Sequence, residues 1–182
     1  MKITIIGLGL IGGSIAKTLS ASKDNQILAF DTNQGSIKNA LDNQSINDSI
    51  QSLDNLRNTE YKDSLVIIAT PPSVTVDILK SLDFLFNSSV TITDTTSAKS
   101  SLNKTLQEFN FPENFIFSHP VAGSHLSGEK NSVANLFNGK STILSYHDSV
   151  ASQHVDRVTN LWNTLGSNIT VLDVELHDQI FA

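Results

Sequence analysis

The sequence predicts an α/β protein with a mainly parallel, doubly wound sheet that carries helices on both faces. Short apolar runs, many of them rich in β-branched residues, alternate along the chain with stretches whose apolar residues recur at helical spacing. Strands buried in a parallel sheet resemble the first kind of segment, and the helices that cover such a sheet resemble the second. A glycine-rich turn between the first apolar run and the first helix-like stretch is typical of the same class.

Seven segments are predicted as strands because most of them are too short to form helices. In chain order they are residues 3–6, 27–30, 65–69, 90–93, 115–117, 142–144 and 169–172. Five segments with helical spacing of apolar residues are predicted as helices, namely 11–19, 37–41, 74–82, 102–109 and 150–165. The polar region 43–58 is expected to hold a short strand or a loop excursion.

The last ten residues predict the start of a second unit. Asp173 is placed to cap a helix, and Glu175 lies in its first turn. The apolar residues Ile180 and Phe181 then need a surface to pack against. We therefore expect one domain over residues 1–172 and the beginning of a truncated C-terminal helical domain over residues 173–182.

Composition excludes several classes of protein. A net charge of −6 and a pI near 5.2 argue against nucleic-acid or membrane-surface binding, because both require a basic face. The absence of cysteine excludes disulfides and thiolate metal sites. No apolar run approaches the ~20 residues that span a bilayer, and no signal-peptide cleavage pattern follows the apolar N-terminus. The expected location is the cytoplasm, with no membrane partner and no nucleic-acid partner.

A G-x-G-x-x-G pattern lies between the first predicted strand and the first predicted helix. It consists of Gly7, Leu8, Gly9, Leu10, Ile11 and Gly12. In a Rossmann-type domain, Gly7 permits the tight turn, Gly9 lets a pyrophosphate approach the backbone, and Gly12 allows close packing of helix on strand. Amides at the helix start then face the phosphates. The pattern predicts a dinucleotide-binding loop.

An acidic residue stands where such a domain binds the adenosine ribose. Asp31 follows the second predicted strand, nineteen residues after Gly12. Because its carboxylate would repel a 2′-phosphate and no arginine follows it, NAD is expected as the cofactor rather than NADP. The alternative is a tight strand–helix turn with an aspartate that caps a helix.

Two further loops follow predicted strands at the same edge of the sheet. Ala69, Thr70 and Pro71 are expected to line the nicotinamide ribose, unless they only form a strand-ending turn. Ser97 and Lys99 follow the next strand. Ser97 suits hydrogen bonding to a substrate hydroxyl or to an active-site histidine, although Ser97 or Thr96 could instead cap the next helix.

One histidine of the five is singled out by its position. His119 is predicted at a strand end, in a loop fixed by Pro120, where it can polarise or deprotonate a hydroxyl near neutral pH. The other four include His147, His154 and His177, which are expected on the surface. No metal is expected, because no histidine pair on one helix face supports a metal site.

These motifs together resemble the prephenate/arogenate dehydrogenase family over essentially the whole chain. They are GLGLIGGS, ATPPS, TDTTSAK and SHPVAGSHLSG, and the serine–lysine motif followed by H-P-x-A-G is the most specific part. The resemblance implies NAD(P)-dependent oxidative decarboxylation of prephenate or arogenate in tyrosine biosynthesis. It implies that His119 binds the ring hydroxyl with support from Ser97. The substrate contacts expected on these grounds are Ser97, Lys99, His119, Gly123, Ser124 and His125.

The sequence departs from the family in two respects. His125 stands where many members that use prephenate have a glutamate, so the choice between prephenate and arogenate stays open. The family also has a C-terminal helical domain that forms a homodimer and supplies cations for the substrate carboxylates, whereas Arg57 and Arg157 lie away from every motif. Two alternatives therefore remain, a dinucleotide-binding module without turnover and the N-terminal domain of a β-hydroxyacid-type dehydrogenase.

Overall fold

The computed structural model describes residues 1–58, 64–122 and 128–181. Its eight strands are β1 Lys2–Ile6, β2 Gln26–Phe30, β3 Asp48–Ser49, β4 Leu65–Ile68, β5 Thr91–Asp94, β6 Phe115–Val121, β7 Ser141–Ser145 and β8 Asn168–Val171. Its six α-helices are α1 Leu10–Leu19, α2 Gln34–Asp42, α3 Pro72–Ser81, α4 Ser100–Glu108, α5 Ser152–Thr164 and α6 Val174–Phe181. The region 43–58 holds the short strand β3, as expected, and in addition a 3₁₀ helix, Leu53–Arg57.

The strands form one sheet in the order β3-β2-β1-β4-β5-β6-β7-β8. All neighbouring pairs are parallel except β6 and β7, which are antiparallel. The first six strands follow the 3-2-1-4-5-6 order of a dinucleotide-binding domain. The predicted α/β, Rossmann-type, mainly parallel sheet is confirmed.

Helices cover both faces of the sheet because the side chains of each strand alternate between the faces. In β4, Leu65 and Ile67 join the core beneath α1, α2 and α5, where Trp162 is fully buried. Val66 and Ile68 join the opposite core beneath α3 and α4. Strands buried on both sides read as continuous apolar runs, which is why the sequence predicts them well.

Strand β6 is longer than predicted, and this corrects the placement of His119. His119 lies inside the strand opposite Ile143 of β7, and not in a loop after a strand end. The parallel neighbour β5 pairs with β6 only as far as Ile116. Beyond that residue one side of β6 is an edge, where a proline such as Pro120 is tolerated. The antiparallel partner therefore extends the strand past residue 117, where the strand was predicted to end.

Helix α6 follows β8 and packs back on the same sheet. The Asp173 carboxylate accepts hydrogen bonds from the amides of Glu175 and Leu176, at 2.8 Å and 3.2 Å, which confirms the predicted cap. His177 of this helix is completely buried, whereas Ile180 is 57% exposed. Helix α6 thus contributes a buried side chain to the domain on which it lies.

Candidate active site

The glycine-rich loop has the geometry of a phosphate-binding turn. Gly7 has a φ of +95°, and a Cβ on Gly12 would lie 1.9 Å from the carbonyl oxygen of Gly7. Both glycines are therefore required by the turn and by the close approach of α1 to β1. A Cβ on Gly9, in contrast, would have no protein atom within 4 Å. The space in front of Gly9 is open to a ligand.

Asp31 is joined to this loop by a backbone hydrogen bond. The amide of Leu8 donates to its Oδ2 at 2.6 Å, and the amide of Asn33 donates to its Oδ1 at 2.7 Å. Asn33, and not Asp31, caps helix α2 by accepting from the amides of Gly35 and Ser36. The alternative of Asp31 as a helix cap is therefore excluded. Its carboxylate is held beside the glycine-rich loop.

Two clefts meet along the carboxyl edge of the parallel strands. One, of about 370 Å³, lies between the loops after β1 and β2 and helix α3, and it includes Asp31, Val74 and Ile78. The other, of about 520 Å³, extends from the start of α1 to β6. They share Gly9, Ala69, Thr70 and Pro71. An extended ligand can pass from the carboxylate, across the glycine-rich loop, to His119.

The second cleft brings together residues from four parts of the chain. It is lined by Leu10 and Ile11 of α1, by the segment 69–72, by Ser97 and by His119. Ser97 is exposed and does not cap α4, and Thr96 instead binds the Asp94 carboxylate. The capping alternative is therefore wrong. Gly123, Ser124 and His125 lie outside the residues that the structure describes.

Lys99 corrects the expectation of a substrate contact. Its side chain is completely buried, and its Nζ donates to Oδ2 of Asp94 at 2.6 Å and to the carbonyl oxygen of Ser118 at 2.7 Å. Asp94 also accepts from the amide of Ser118 through its Oδ1, at 3.3 Å. The buried pair therefore holds both backbone groups of the residue next to His119. Lys99 positions β6 and is turned away from the cleft.

Two neighbouring residues of α6 join the site, and the sequence did not single them out. The Nδ1 atom of His119 lies 2.9 Å from Nε2 of His177, and Nδ1 of His177 lies 2.8 Å from Oδ1 of Asp178. Asp178 also accepts hydrogen bonds from the amides of Lys99 and Ser100 and from the Ser100 hydroxyl. It thereby caps α4, directly after the loop that carries Ser97.

The predicted surface location is wrong for two histidines. His177 is completely buried, and His154 is 2% exposed and bonded through Nδ1 to the Thr91 hydroxyl at 2.7 Å. Both lie on amphipathic helices whose polar neighbours suggested exposure. One nitrogen of each ring has a long-range partner and the other is bonded to a neighbour in the sequence, so both nitrogens are satisfied and burial is possible. His147 is exposed, as expected.

The surroundings of His119 favour its neutral form. Burial, together with the Lys99 ammonium group and His177, lowers the pKa of His119 to about 4. Burial would raise the pKa of Asp178, but hydrogen bonds from Ser100, His177 and the backbone outweigh it and lower that pKa to about 2. At neutral pH the site therefore contains a neutral His119 and an ionised Asp178.

Other kinds of site find no support in the described parts of the chain. Among these residues no three histidine, cysteine or acidic side chains are grouped so that they could hold a metal ion. None of the described helices is long and apolar enough to cross a membrane. The two clefts, in contrast, fit a dinucleotide, because a helix N-terminus without acidic residues in its first turn faces the open space at Gly9.

Comparison with known proteins gives a consistent result. Residues 15–171 match the family model for the nucleotide-binding domain of prephenate dehydrogenase. The chain is 28% identical over 181 residues to a cyclohexadienyl dehydrogenase of Zymomonas mobilis, covering 99% of this chain and 61% of the relative. It is 32% identical over 183 residues to a prephenate dehydrogenase of Lactococcus lactis, covering 98% of this chain and 48% of the relative.

A solved structure shares the fold over nearly the whole chain. It is the prephenate dehydrogenase of A. aeolicus in complex with hydroxyphenyl propionate and NAD⁺, with a TM-score of 0.88 and 27% identity. The match covers 99% of this chain and 62% of that one. The chain thus spans about half to three fifths of the length of these relatives.

Proposed function

The chain belongs to the prephenate dehydrogenase family, and from that premise we propose that it binds NAD and serves the oxidative decarboxylation of prephenate or arogenate in tyrosine biosynthesis. The observation that carries the proposal is the continuous cleft, which joins a dinucleotide-binding loop to a neutral, largely buried histidine. NAD supplies the hydride acceptor when it is bound.

The first part of the cleft binds the cofactor in this proposal. The N-terminal amides of α1, at Leu10 and Ile11, face the pyrophosphate, and the space at Gly9 admits it. The Asp31 carboxylate accepts hydrogen bonds from the hydroxyls of the adenosine ribose. Ala69, Thr70 and Pro71 lie where the two clefts meet and form the wall beside the nicotinamide ribose.

The second part acts on the substrate. Nδ1 of His119 is occupied by His177, so Nε2 is the ring nitrogen left for a substrate. His119 accepts a hydrogen bond from the ring hydroxyl and so promotes hydride loss from the carbon that bears it. Carbon dioxide leaves from the ring at the same stage, and the ring becomes aromatic. Ser97, which lines the same cleft, binds the same hydroxyl.

The substrate carboxylates need cations that the described cleft does not provide. Arg157 donates to Thr91 and to the carbonyl oxygen of Ser89, and Arg57 lies over the ring of Phe84. Since Lys99 is buried, we place the partners of the carboxylates in the helical domain of the longer relatives. Residues 173–182 would lead into that domain, and a homodimer would form through it.

A binding titration followed by a turnover assay tests this function. NADH fluorescence should show a site that prefers NADH to NADPH, and addition of prephenate or arogenate should reduce NAD⁺. If the 182 residues alone are inactive, the C-terminal helical domain of a relative is supplied in trans. Binding without turnover under both conditions would indicate a dinucleotide-binding module without enzymatic activity. Failure to bind NADH would exclude both functions.

A further inference from the structure

A line of three side chains leads from the cleft wall, at His119, to an anion. His119, His177 and Asp178 are joined by two hydrogen bonds of 2.9 Å and 2.8 Å. His177 is completely buried and His119 is 9% exposed, so solvent has little access to the nitrogen atoms between them. The edge of the His119 ring also packs against Phe181, with ring centroids 5.4 Å apart. The arrangement fixes both imidazole rings.

The positions of the protons on the two imidazole rings follow from the charge of Asp178 at the end of the line. Asp178 accepts two amide hydrogen bonds and one from a hydroxyl, so its carboxylate is ionised and can only accept. The nitrogen that faces it, Nδ1 of His177, must therefore carry a proton. In neutral His177 the other nitrogen, Nε2, is then an acceptor. This Nε2 accepts a hydrogen bond from Nδ1 of His119, so Nδ1 of His119 carries the proton of that ring. Nε2 of the neutral His119 ring is then unprotonated.

The reverse order of protons is unfavourable. If Nε2 of His177 carried the proton, its bare Nδ1 would face the Asp178 carboxylate at 2.8 Å, lone pair against lone pair. Nε2 of His119 would then carry a proton and could only donate. A histidine in that state cannot accept a hydrogen bond from a substrate hydroxyl. The direction of the two hydrogen bonds thus decides what His119 can do.

We propose that His177, oriented by Asp178, is a positioning residue that fixes His119 in the tautomer whose unprotonated Nε2 serves the cleft. This inference rests on the proposed function for its purpose, although the tautomer itself can be tested without any substrate. It also gives α6 a role in the site. The same Asp178 that orients His177 also caps α4 directly after the Ser97 loop, so one carboxylate is joined both to the histidine pair and to that loop.

The direct test is the protonation of the imidazole nitrogens, measured by NMR. Protein labelled with ¹⁵N-histidine is studied at neutral pH by two-bond ¹H–¹⁵N correlation, and His119→Asn identifies the His119 signals. We expect His119 protonated at Nδ1 and bare at Nε2, and His177 likewise protonated at Nδ1. Finding His119 protonated at Nε2 in the unmodified protein overturns the proposal, whether or not any variant folds.

Two variants of His177 separate positioning from packing. In His177→Gln the amide oxygen lies near the former Nε2 and accepts from His119, so the tautomer should persist. In His177→Leu no acceptor remains, and the Nε2-protonated form of His119 should appear. Exposed His147→Gln is the matched control and should leave the His119 signals unchanged. An unaltered tautomer in a folded His177→Leu protein would also overturn the proposal.

Kinetics in an active form of the protein supply the second readout. His177→Leu should lower kcat on the order of 10²-fold, within the range that a general base contributes, with little change in KM for NAD⁺. His177→Gln should recover most of that loss. If the NMR results hold and no substrate is turned over by any form, the proposed function fails while the tautomer assignment stands. Equal loss in both variants would mean that His177 acts only through packing.

Discussion

The two halves of the cleft are built in different ways. The cofactor half, around the glycine-rich loop and Asp31, is made of backbone turns that lie within a few residues of one another or one strand away. The substrate half, around His119, depends on side chains from β6, the loop after β5 and α6, which lie up to 79 residues apart. Local backbone geometry leaves a readable pattern in a sequence, whereas a distant side-chain contact does not.

The largest expected effect comes from removing the ring of His119. His119→Asn should lower turnover by about 10²- to 10⁴-fold, the usual contribution of a general base, because Ser97, the other residue assigned to the hydroxyl, is a poor proton acceptor. NADH affinity, measured by fluorescence titration, should stay unchanged. A parallel loss of NADH affinity would show that the two halves are not independent.

The buried ion pair should dominate the stability of the substrate half. Lys99→Met leaves the buried Asp94 carboxylate without its cation, which typically costs about 3–5 kcal/mol in the free energy of unfolding. Chemical denaturation measures this difference. The matched control is Lys80→Met, which breaks an exposed pair with Glu108 and should cost about 1 kcal/mol or less. Similar losses of unfolding free energy in the two variants would contradict the predicted dominance of the buried Lys99–Asp94 pair.

In the cofactor half, a substitution of Asp31 is expected to change the affinity for the cofactor. Asp31→Asn removes the charge that we propose accepts hydrogen bonds from the ribose hydroxyls, and we expect NAD⁺ affinity to fall about tenfold, the effect of one charge-assisted hydrogen bond. NADP⁺ affinity should change less, since the charge that repels its phosphate is gone as well. Titration with both cofactors measures the ratio, and Asp48→Asn on β3 is the control. An unchanged ratio would remove Asp31 from the ribose site.

The last expected effect is a dependence of stability on pH in the substrate half. Folding lowers the pKa of His119 from 6.5 to about 4, so the unfolded chain binds the proton more readily. The stabilisation is complete above pH 6.5 and is lost as the pH falls toward 4. The free energy of unfolding, measured by denaturation at several pH values across this range, should depend less on pH in His119→Asn. Burial and Arg157 also lower the pKa of His154, which leaves a residual slope. An identical slope in both proteins would contradict the shift.

Sequence reasoning succeeded where short-range physics decides the structure. Short apolar runs that alternate with helix-like segments predicted the sheet correctly. The turn at Gly7 and the carboxylate of Asp31 also lie where the spacing predicted them. It failed for His177, whose polar neighbours in α6 suggested a surface position. Burial of that ring depends on His119, 58 residues earlier, which no local pattern encodes. A histidine next to an aspartate in the last helix was the available signal.

The predictions for Lys99 and for the length of β6 were wrong for the same physical reason. A lysine in a loop is ordinarily exposed, and hydrogen bonds to the buried Asp94 carboxylate, the Ser118 carbonyl and the Thr96 hydroxyl make the burial of Lys99 possible. Pro120 ordinarily ends a strand, and only the antiparallel pairing with β7 carries β6 past it. In both cases a partner from a distant element overrides the local preference.

The change from parallel to antiparallel pairing at β6 also makes the position of His119 adjustable. Beyond Ile116 the strand is held by β7 on one side, so its far end overhangs the parallel sheet. Inserting or deleting two residues in this overhang would move the imidazole by about 7 Å and keep it on the same face. The parallel strands that carry the glycine-rich loop would not need to shift. The architecture thus allows the position of the His119 side chain to vary while the glycine-rich loop and its strands stay constant.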